Sequence, residues 1–269
     1  MIKVATYSDT CKSIEQHLVC EKQPDLDILV RMGGTLPYSK YPVQINSKIG
    51  TEISIDKHIF SKIILKSVPT EFIFNELNIS DELLKQTLNY AVNHAVIRNI
   101  HSVPLIAKPV SKSGGDGIEI IEYFGLNKEF KQGLINILNK IGPYILQPML
   151  SSTSEYRVHV CTATNGYKVT KKVKNNPDDL FVTRDNHKVI AIENTVKPRL
   201  FNDMVLTCLE NAKIMGMDII CFDVLYDSKF KDDEHEFFII ESNTGPELIG
   251  STKEWYINQI NNLIKIKTA

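Results

Sequence analysis

The sequence has no CxxC pair, and its five cysteines (Cys11, Cys20, Cys161, Cys208 and Cys221) form an odd set. Such spacing favours neither disulfide staples nor a zinc cluster and fits a reducing cytosol better. An excess of charge of one sign is also missing. The formal net charge is −1, so there is no broad basic field to hold a phosphate backbone, and nucleic acid is not an expected partner. Apolar runs stay far short of the ~20 residues that a membrane span requires. The opening MIKVATYSDT has no basic start ahead of a long apolar core. Neither a membrane partner nor a signal peptide is therefore expected, and the expected location is cytoplasmic.

Several catalytic signatures are missing too. There is no GxSxG, no Walker-type GxxxxGK[ST], and no HxxxH spacing among the seven histidines. No cysteine has a plausible histidine neighbour in sequence, so an enzyme nucleophile is unsupported. His159 and His187 are the histidines nearest the candidate site, and a partly buried structural role is the plainer reading of each.

What is present is a chain of 269 residues, 43% apolar and 23% charged. Those proportions exclude disorder, and the length suggests two or three lobes. Ile2–Tyr7 and Asp27–Arg31 read as strands, and Pro37, Pro42 and Gly50 punctuate a following loop. The spacing predicts a helix from Ser54, acting as cap, through Ile59, Ile63 and Ile64 to Pro69, and a second from Ser80 to about Asn99. Leu105–Val110 and Ile118–Phe124 look like a hairpin around SKSGGDG, followed by a helix (Asn127–Ile141) and the strand Tyr144–Gln147. Glu155–Thr162 and Tyr167–Lys174 alternate around Asn165-Gly166, and a further strand is expected at Lys188–Ile192. The helix Leu200–Met215 stops at Gly216, strands follow at Ile219–Leu225 and Phe237–Glu241, and a last helix covers Thr252–Ile266. Strands and helices mix without regular βαβ alternation, which points to an α+β fold.

Three groups of residues carry chemistry. Lys108 closes a strand ahead of Ser111–Gly117, where glycines let backbone N–H groups approach phosphate oxygens; a plain hairpin turn is the bland alternative. Asp223 lies within the apolar strand IICFDVLY, and Glu241 and Asn243 end FFIIESN, two apart and therefore on one strand face. Oxygen ligands of this kind suit Mg²⁺ bridged to nucleotide phosphates, whereas pairing with an internal Lys or Arg would be the purely structural account. The third group is basic. Lys171 shares a strand face with Val169 and Val173 and is read as an inward lysine in need of an anion, while Lys172 and Lys174 are read as a solvated face.

In this order the motifs resemble the ATP-grasp superfamily over about Asn46 to Gly250, most nearly the branch of glutamate ligases acting on ribosomal proteins and more distantly D-alanine–D-alanine ligase. The resemblance is carried by NSKIGTEISIDKHIFSKIILKSVPT, LIAKPVSKSGGDGIEII, YILQPML, EYRVHV, and the pair MGMDIICFDVLYD and FFIIESNTGPELIG. It implies two α+β lobes gripping ATP: a small N-terminal α/β domain (1–46), a helical connecting segment (47–102), a lid lobe (103–150) and a C-terminal metal-binding lobe (151–269). It further implies that Lys57 and Lys108 contact phosphates while Ser113, Gly114, Gly115 and Gly117 close over them. Gln147, Met149 and Leu150 would read the adenine edge, and Glu155 would accept from ribose hydroxyls. Lys171 would reach the phosphates or the reacting carboxylate, and Arg184 and Arg199 would bind substrate. Asp223, Glu241 and Asn243 would hold Mg²⁺, as two ions with Glu241 bridging. The arginine that the family often carries two residues before the metal Asp is Cys221 here. The implied activity is an ATP-dependent carboxylate–amine ligase that passes through an acylphosphate and releases ADP and phosphate. An amino acid, peptide or protein terminus would supply the carboxylate and the amine, and a homo-oligomer stays open. The alternatives are a small-molecule kinase on the same fold and a non-catalytic nucleotide-binding protein.

Overall fold

Three sheets organise the chain. The first holds β1 (Ile2–Ala5), β2 (Ile28–Arg31) and β3 (Val43–Ile45), all parallel, with the short helix α1 (Asp9–Lys12) between β1 and β2. Two helices follow, α2 (Lys48–Ile55) and α3 (Lys57–Ile63). The second sheet is antiparallel in the order β4-β7-β5-β6, from β4 (Glu71–Ile73), β5 (Val103–Pro109), β6 (Glu119–Tyr123) and β7 (Tyr144–Pro148), with α4 (Lys128–Ile141) between β6 and β7. The third, also antiparallel, runs β10-β9-β8-β11-β12: β8 (Ser154–Cys161), β9 (Gly166–Lys174), β10 (His187–Ala191), β11 (Ile219–Tyr226) and β12 (Phe237–Asn243). Helix α5 (Pro198–Ile214) precedes β11, and α6 (Gly250–Lys267) closes the chain. The structure, a computed structural model, describes all residues except 7, 35–40, 77–78, 81, 83, 86, 90–101, 111–115, 151–153, 177–186, 193–197 and 227–236.

Each sheet buries one face under a helix whose apolar spacing matches it. In the first sheet Ile28, Val30 and Met32 alternate toward Tyr256, Ile260, Leu263 and Ile264 of α6. In the second, Leu105 and Ala107 of β5 and Tyr144 and Leu146 of β7 pack on Phe130, Leu134 and Ile137 of α4, a helical stripe capped by the Asn127 side chain. In the third, Tyr156, Val158 and Val160 of β8 and Ile220, Phe222 and Val224 of β11 meet Met204, Val205, Cys208, Leu209 and Ala212 of α5. Gly216, at φ 66°, ends α5 in a left-handed conformation that suits glycine.

The expected α+β mixture is present, with local differences. Residues 43–53, expected as loop, contain β3 and most of α2, the latter capped by Ser47 accepting from the Gly50 N–H. Ser54 is not a cap; it sits inside α2 with its Oγ 2.8 Å from Ser242 Oγ. The helix over Ile59 and Ile63 is instead capped by Asp56, which accepts from the N–H groups of His58 (2.9 Å) and Ile59 (3.0 Å). Segment 47–102 serves both lobes. Phe60 and Ile64 join the α5 core, while β4 and the buried Leu84 and Leu88 join the α4 core. Of the helix expected over 80–99, residues 82, 84, 85 and 87–89 are helical, and the rest from 90 onward lies outside the described residues.

Candidate active site

The apolar face of the third sheet turns toward α5, so alternation places a charged set on the other face: Glu155 and Arg157 from β8, Lys172 from β9, and Asp223 from β11. The ladders fix who meets whom, with Glu155 opposite Lys172 and Asp223 flanked by Arg157 on one side and Glu241 on the other. Glu241 owes its orientation to an irregularity. Strict alternation from Phe237 and Ile239 would turn it toward α5, but a bulge between the Asp223 and Val224 pairings inserts Ile240 and returns Glu241 to the charged face. Asn243 follows two residues later opposite Cys221, its Oδ1 accepting from the Gly245 N–H at 3.0 Å.

Asp223 is fully buried. Its Oδ1 accepts from Arg157 Nε at 2.9 Å and its Oδ2 from Lys172 Nζ at 2.6 Å, while Lys172 Nζ also donates to Glu155 Oε1 at 2.5 Å. Burial alone would raise the Asp223 pKa, but Arg157 and then Lys172 outweigh it and hold the carboxyl well below the usual range. Lys172 is held above the ordinary lysine range: burial opposes its charge, and Asp223 and Glu155 restore it. Glu155 is raised, first by burial and then by the Asp223 charge that Lys172 partly offsets. Glu241 is pushed up to about 7, by burial and by neighbouring Asp223.

Two lysines approach from outside this sheet. Lys108 projects from β5 on the face opposite Leu105 and Ala107, and Lys57 opens α3 directly after its cap. Burial lowers both pKa values, and in each case Glu241 is the strongest influence acting to raise it. Lys108 also feels Lys57, Glu155 and Lys172, so cations from separate elements and the carboxylates of the third sheet share one electrostatic neighbourhood.

Lys57, Lys108, Glu155, Asp223, Glu241 and Asn243 thus lie in one neighbourhood. Lys171 does not. Its Nζ lies 5.9 Å from the Tyr156 ring on the α5 side, and the inward lysine is Lys172, 7% exposed. The valines beside Lys171 mark the hydrophobic-core face, whereas the site occupies the opposite face, which burial also encloses. Arg157 and Lys172 were therefore missed, although folding the hairpin about Asn165-Gly166 puts Glu155 opposite Lys172 and offers a signal. Glu155, expected at a ribose, accepts from Lys172 beside Asp223. Gln147 is buried and donates to Thr70 Oγ1 at 2.7 Å, and the Met149 N–H is taken by the Pro104 carbonyl at 3.1 Å, which leaves it unavailable to a base edge. Leu150 is half-buried just beyond β7, and Gly117, at φ 72°, lies ahead of β6. Ser113, Gly114, Gly115 and Arg184 lie outside the described residues, as does the Arg199 side chain.

The donors available to a metal are two carboxylates and an amide, a hard oxygen set that fits Mg²⁺. Among the described residues no three Asp, Glu, His or Cys side chains form a metal cage, and none of the helices is long and apolar enough to cross a membrane. A groove of about 780 Å³ between the β8–β9 turn and α5, lined by Tyr167, Leu206 and Lys213 among others, lies away from this cluster.

No family model matches the sequence, and no curated protein matches it. Solved structures do. The chain is similar to D-alanine–D-alanine ligase from Bacillus anthracis complexed with ATP, with TM-score 0.62 and 12% identity over 98% of this chain and 96% of that one. It is similar to VanG D-Ala:D-Ser ligase from Enterococcus faecalis, with TM-score 0.56 and 14% identity over 83% and 64%. The ATP-grasp ligase PsnB, complexed with minimal precursor, gives TM-score 0.53 and 13% identity over 84% and 64%. An N-terminal parallel sheet followed by two antiparallel sheets, matched over nearly its whole length, gives this chain the α+β ATP-grasp fold.

Proposed function

We propose that the chain is an ATP-dependent carboxylate–amine ligase. The observation that carries this reading is the convergence of Lys57 and Lys108, from outside the third sheet, on the carboxylate that Glu241 presents beside Asp223. Half-buried lysines held near a half-buried carboxylate suit a triphosphate with its metal better than they suit each other. The likeness to ligases of D-alanine and to a precursor-bound ligase supports the same chemistry. The motif resemblance to glutamate ligases of ribosomal proteins supports a peptide or protein terminus as one substrate.

A carboxylate is a poor electrophile. Attack by its oxygen on the γ-phosphorus, with cleavage to ADP, makes an acylphosphate; the amine nitrogen then attacks the acyl carbon, phosphate departs and the amine gives up a proton. Glu241 and Asn243, beside Asp223, would hold Mg²⁺, which would supply charge neutralisation on the phosphates. Lys57 and Lys108 orient the triphosphate and offset its charge. Arg157 and Lys172 keep Asp223 ionised and fixed in direction. The low exposure of Lys172, Glu155 and Asp223 limits water that would hydrolyse the acylphosphate.

Incubation with ATP, Mg²⁺ and pooled amino acids and peptides should release ADP and free phosphate only when both a carboxylate and an amine are present. Glu241→Gln should lower that rate roughly hundredfold or more. ADP formed without an amine, with phosphate retained on the product, would transfer the assignment to a kinase. Undiminished turnover in Glu241→Gln would remove the metal role.

A further inference from the structure

We infer that the Lys172 ammonium takes the place of one divalent ion, so that this chain binds its nucleotide with a single Mg²⁺. The inference rests on the nucleotide-binding reading above and concerns how many ions that site accepts.

Lys172 Nζ lies 2.5 Å from Glu155 Oε1 and 2.6 Å from Asp223 Oδ2, with side-chain exposures of 6%, 11% and 0% for the three residues. A cation bridging two enclosed carboxylates in this way does what a bridging metal would do. The remaining oxygen of Asp223 is also engaged, by Arg157 Nε at 2.9 Å, and Arg157 Nη2 stands 3.4 Å from Oδ2. Two positive and two negative side chains therefore close a neutral, hydrogen-bonded set. A dication seeking Asp223 as a ligand would meet two fixed cations in a poorly solvated place, where repulsion is strong. Rearrangement is also restricted, because the four residues stand on neighbouring strands in continuous register: β9 to β8 through Glu155 and Lys172, and β8 to β11 through Arg157 and Asp223.

The other end of the cluster differs. Among the described residues Glu241 has no cationic partner within 4 Å and its carboxyl meets that of Asp223, and Asn243 Oδ1 meets the Gly245 N–H. Both lie on β12, on the side of Asp223 away from Arg157. They offer a carboxylate and an amide oxygen to one hard cation, and Glu241 is the carboxylate that acts most strongly on Lys57 and Lys108.

The test counts ions directly. The full chain, saturated with a non-hydrolysable ATP analogue, is titrated with Mn²⁺ while free Mn²⁺ is followed by electron paramagnetic resonance, with analogue-only controls. A single tight Mn²⁺ is expected for the wild type and for Lys172→Arg, and a second is expected in Lys172→Ala, where Glu155 and Asp223 lose their bridging ammonium. Two tight ions in the wild type would overturn the inference while leaving the ligase reading intact, as would a Lys172→Ala protein that still binds one. Should Lys172→Ala fail to fold, the wild-type count alone decides. Absence of any analogue and Mn²⁺ binding would sink the ligase reading itself.

Discussion

Asp223 is an ionised carboxylate without solvent, and its state depends on two neighbours. Removing one member of a buried ion pair costs about 3–5 kcal/mol, and Lys172 would still offset part of the Asp223 charge, so the loss should fall at the lower end of that range. Arg157→Ala should therefore lower unfolding free energy by about that amount, while Arg157→Lys should recover part of it; chemical denaturation of the three proteins is the measurement. His159 gives a separate prediction. It is buried with its Nδ1 3.2 Å from the Tyr256 hydroxyl, and burial, then nearby Arg157, lowers its pKa to about 3 from 6.5. A histidine kept neutral in the folded state contributes stability that is present above pH 6.5 and is lost as pH falls toward 3. The loss approaches about 1.4 kcal/mol per pH unit. His159→Gln removes this term, so its stability deficit against the wild type should narrow between pH 7.5 and 4.5. A deficit that stays constant across that range would falsify the account. At this scale Asp223, Glu241 and Asn243 were legible because a carboxylate inside an apolar strand demands a reason. Lys172 was not, because its enclosure comes from the rest of the fold and not from apolar neighbours in its own strand.

Elements position these residues through their ends and irregularities. Asp56 caps α3 and so sets the direction in which Lys57 leaves the helix. Asp56→Ala should cost about 1 kcal/mol of stability and weaken nucleotide binding by a larger factor than that loss of folding would explain, as read by nucleotide titration at a temperature where both proteins are folded. The loop after β12 is equally constrained. A Cβ on Gly245 would lie 2.7 Å from the Met32 carbonyl oxygen, and a Cβ on Gly33 would lie 3.7 Å from Gly245 itself. Gly245→Ala must push the loop that follows Asn243 away from the first sheet, for about 1–3 kcal/mol and a melting transition several degrees lower. An unchanged melting curve would show that the two loops separate freely. Long periodic elements such as α4, α5 and the β8–β9 hairpin were readable from spacing alone. The three-residue strands β3 and β4 were not, since a strand that short carries almost no alternation and is fixed by its neighbours. The bulge at Ile240 was hidden for a related reason, because only the partner strand reveals an extra residue.

Over the whole molecule, the fold was legible as an ordered series of motifs, although identities of 12–14% to the solved structures leave substrate preference unwritten. The two antiparallel sheets face a common charge cluster, so ligands that touch both should tie them together. A nucleotide that binds only the folded chain stabilises it by about 2.7 kcal/mol at a concentration near one hundred times its dissociation constant. ADP with Mg²⁺ should accordingly raise the melting temperature by several degrees, and Glu241→Gln should abolish most of that rise. A rise equal in both proteins would locate binding elsewhere. The packing of α6 on the parallel sheet has a consequence for biosynthesis. Ile28, Val30 and Met32 are translated long before Tyr256, Ile260, Leu263 and Ile264, the residues that hide them. Until α6 has followed, a nascent polypeptide therefore exposes a sticky patch that a chaperone or rapid docking of α6 has to cover.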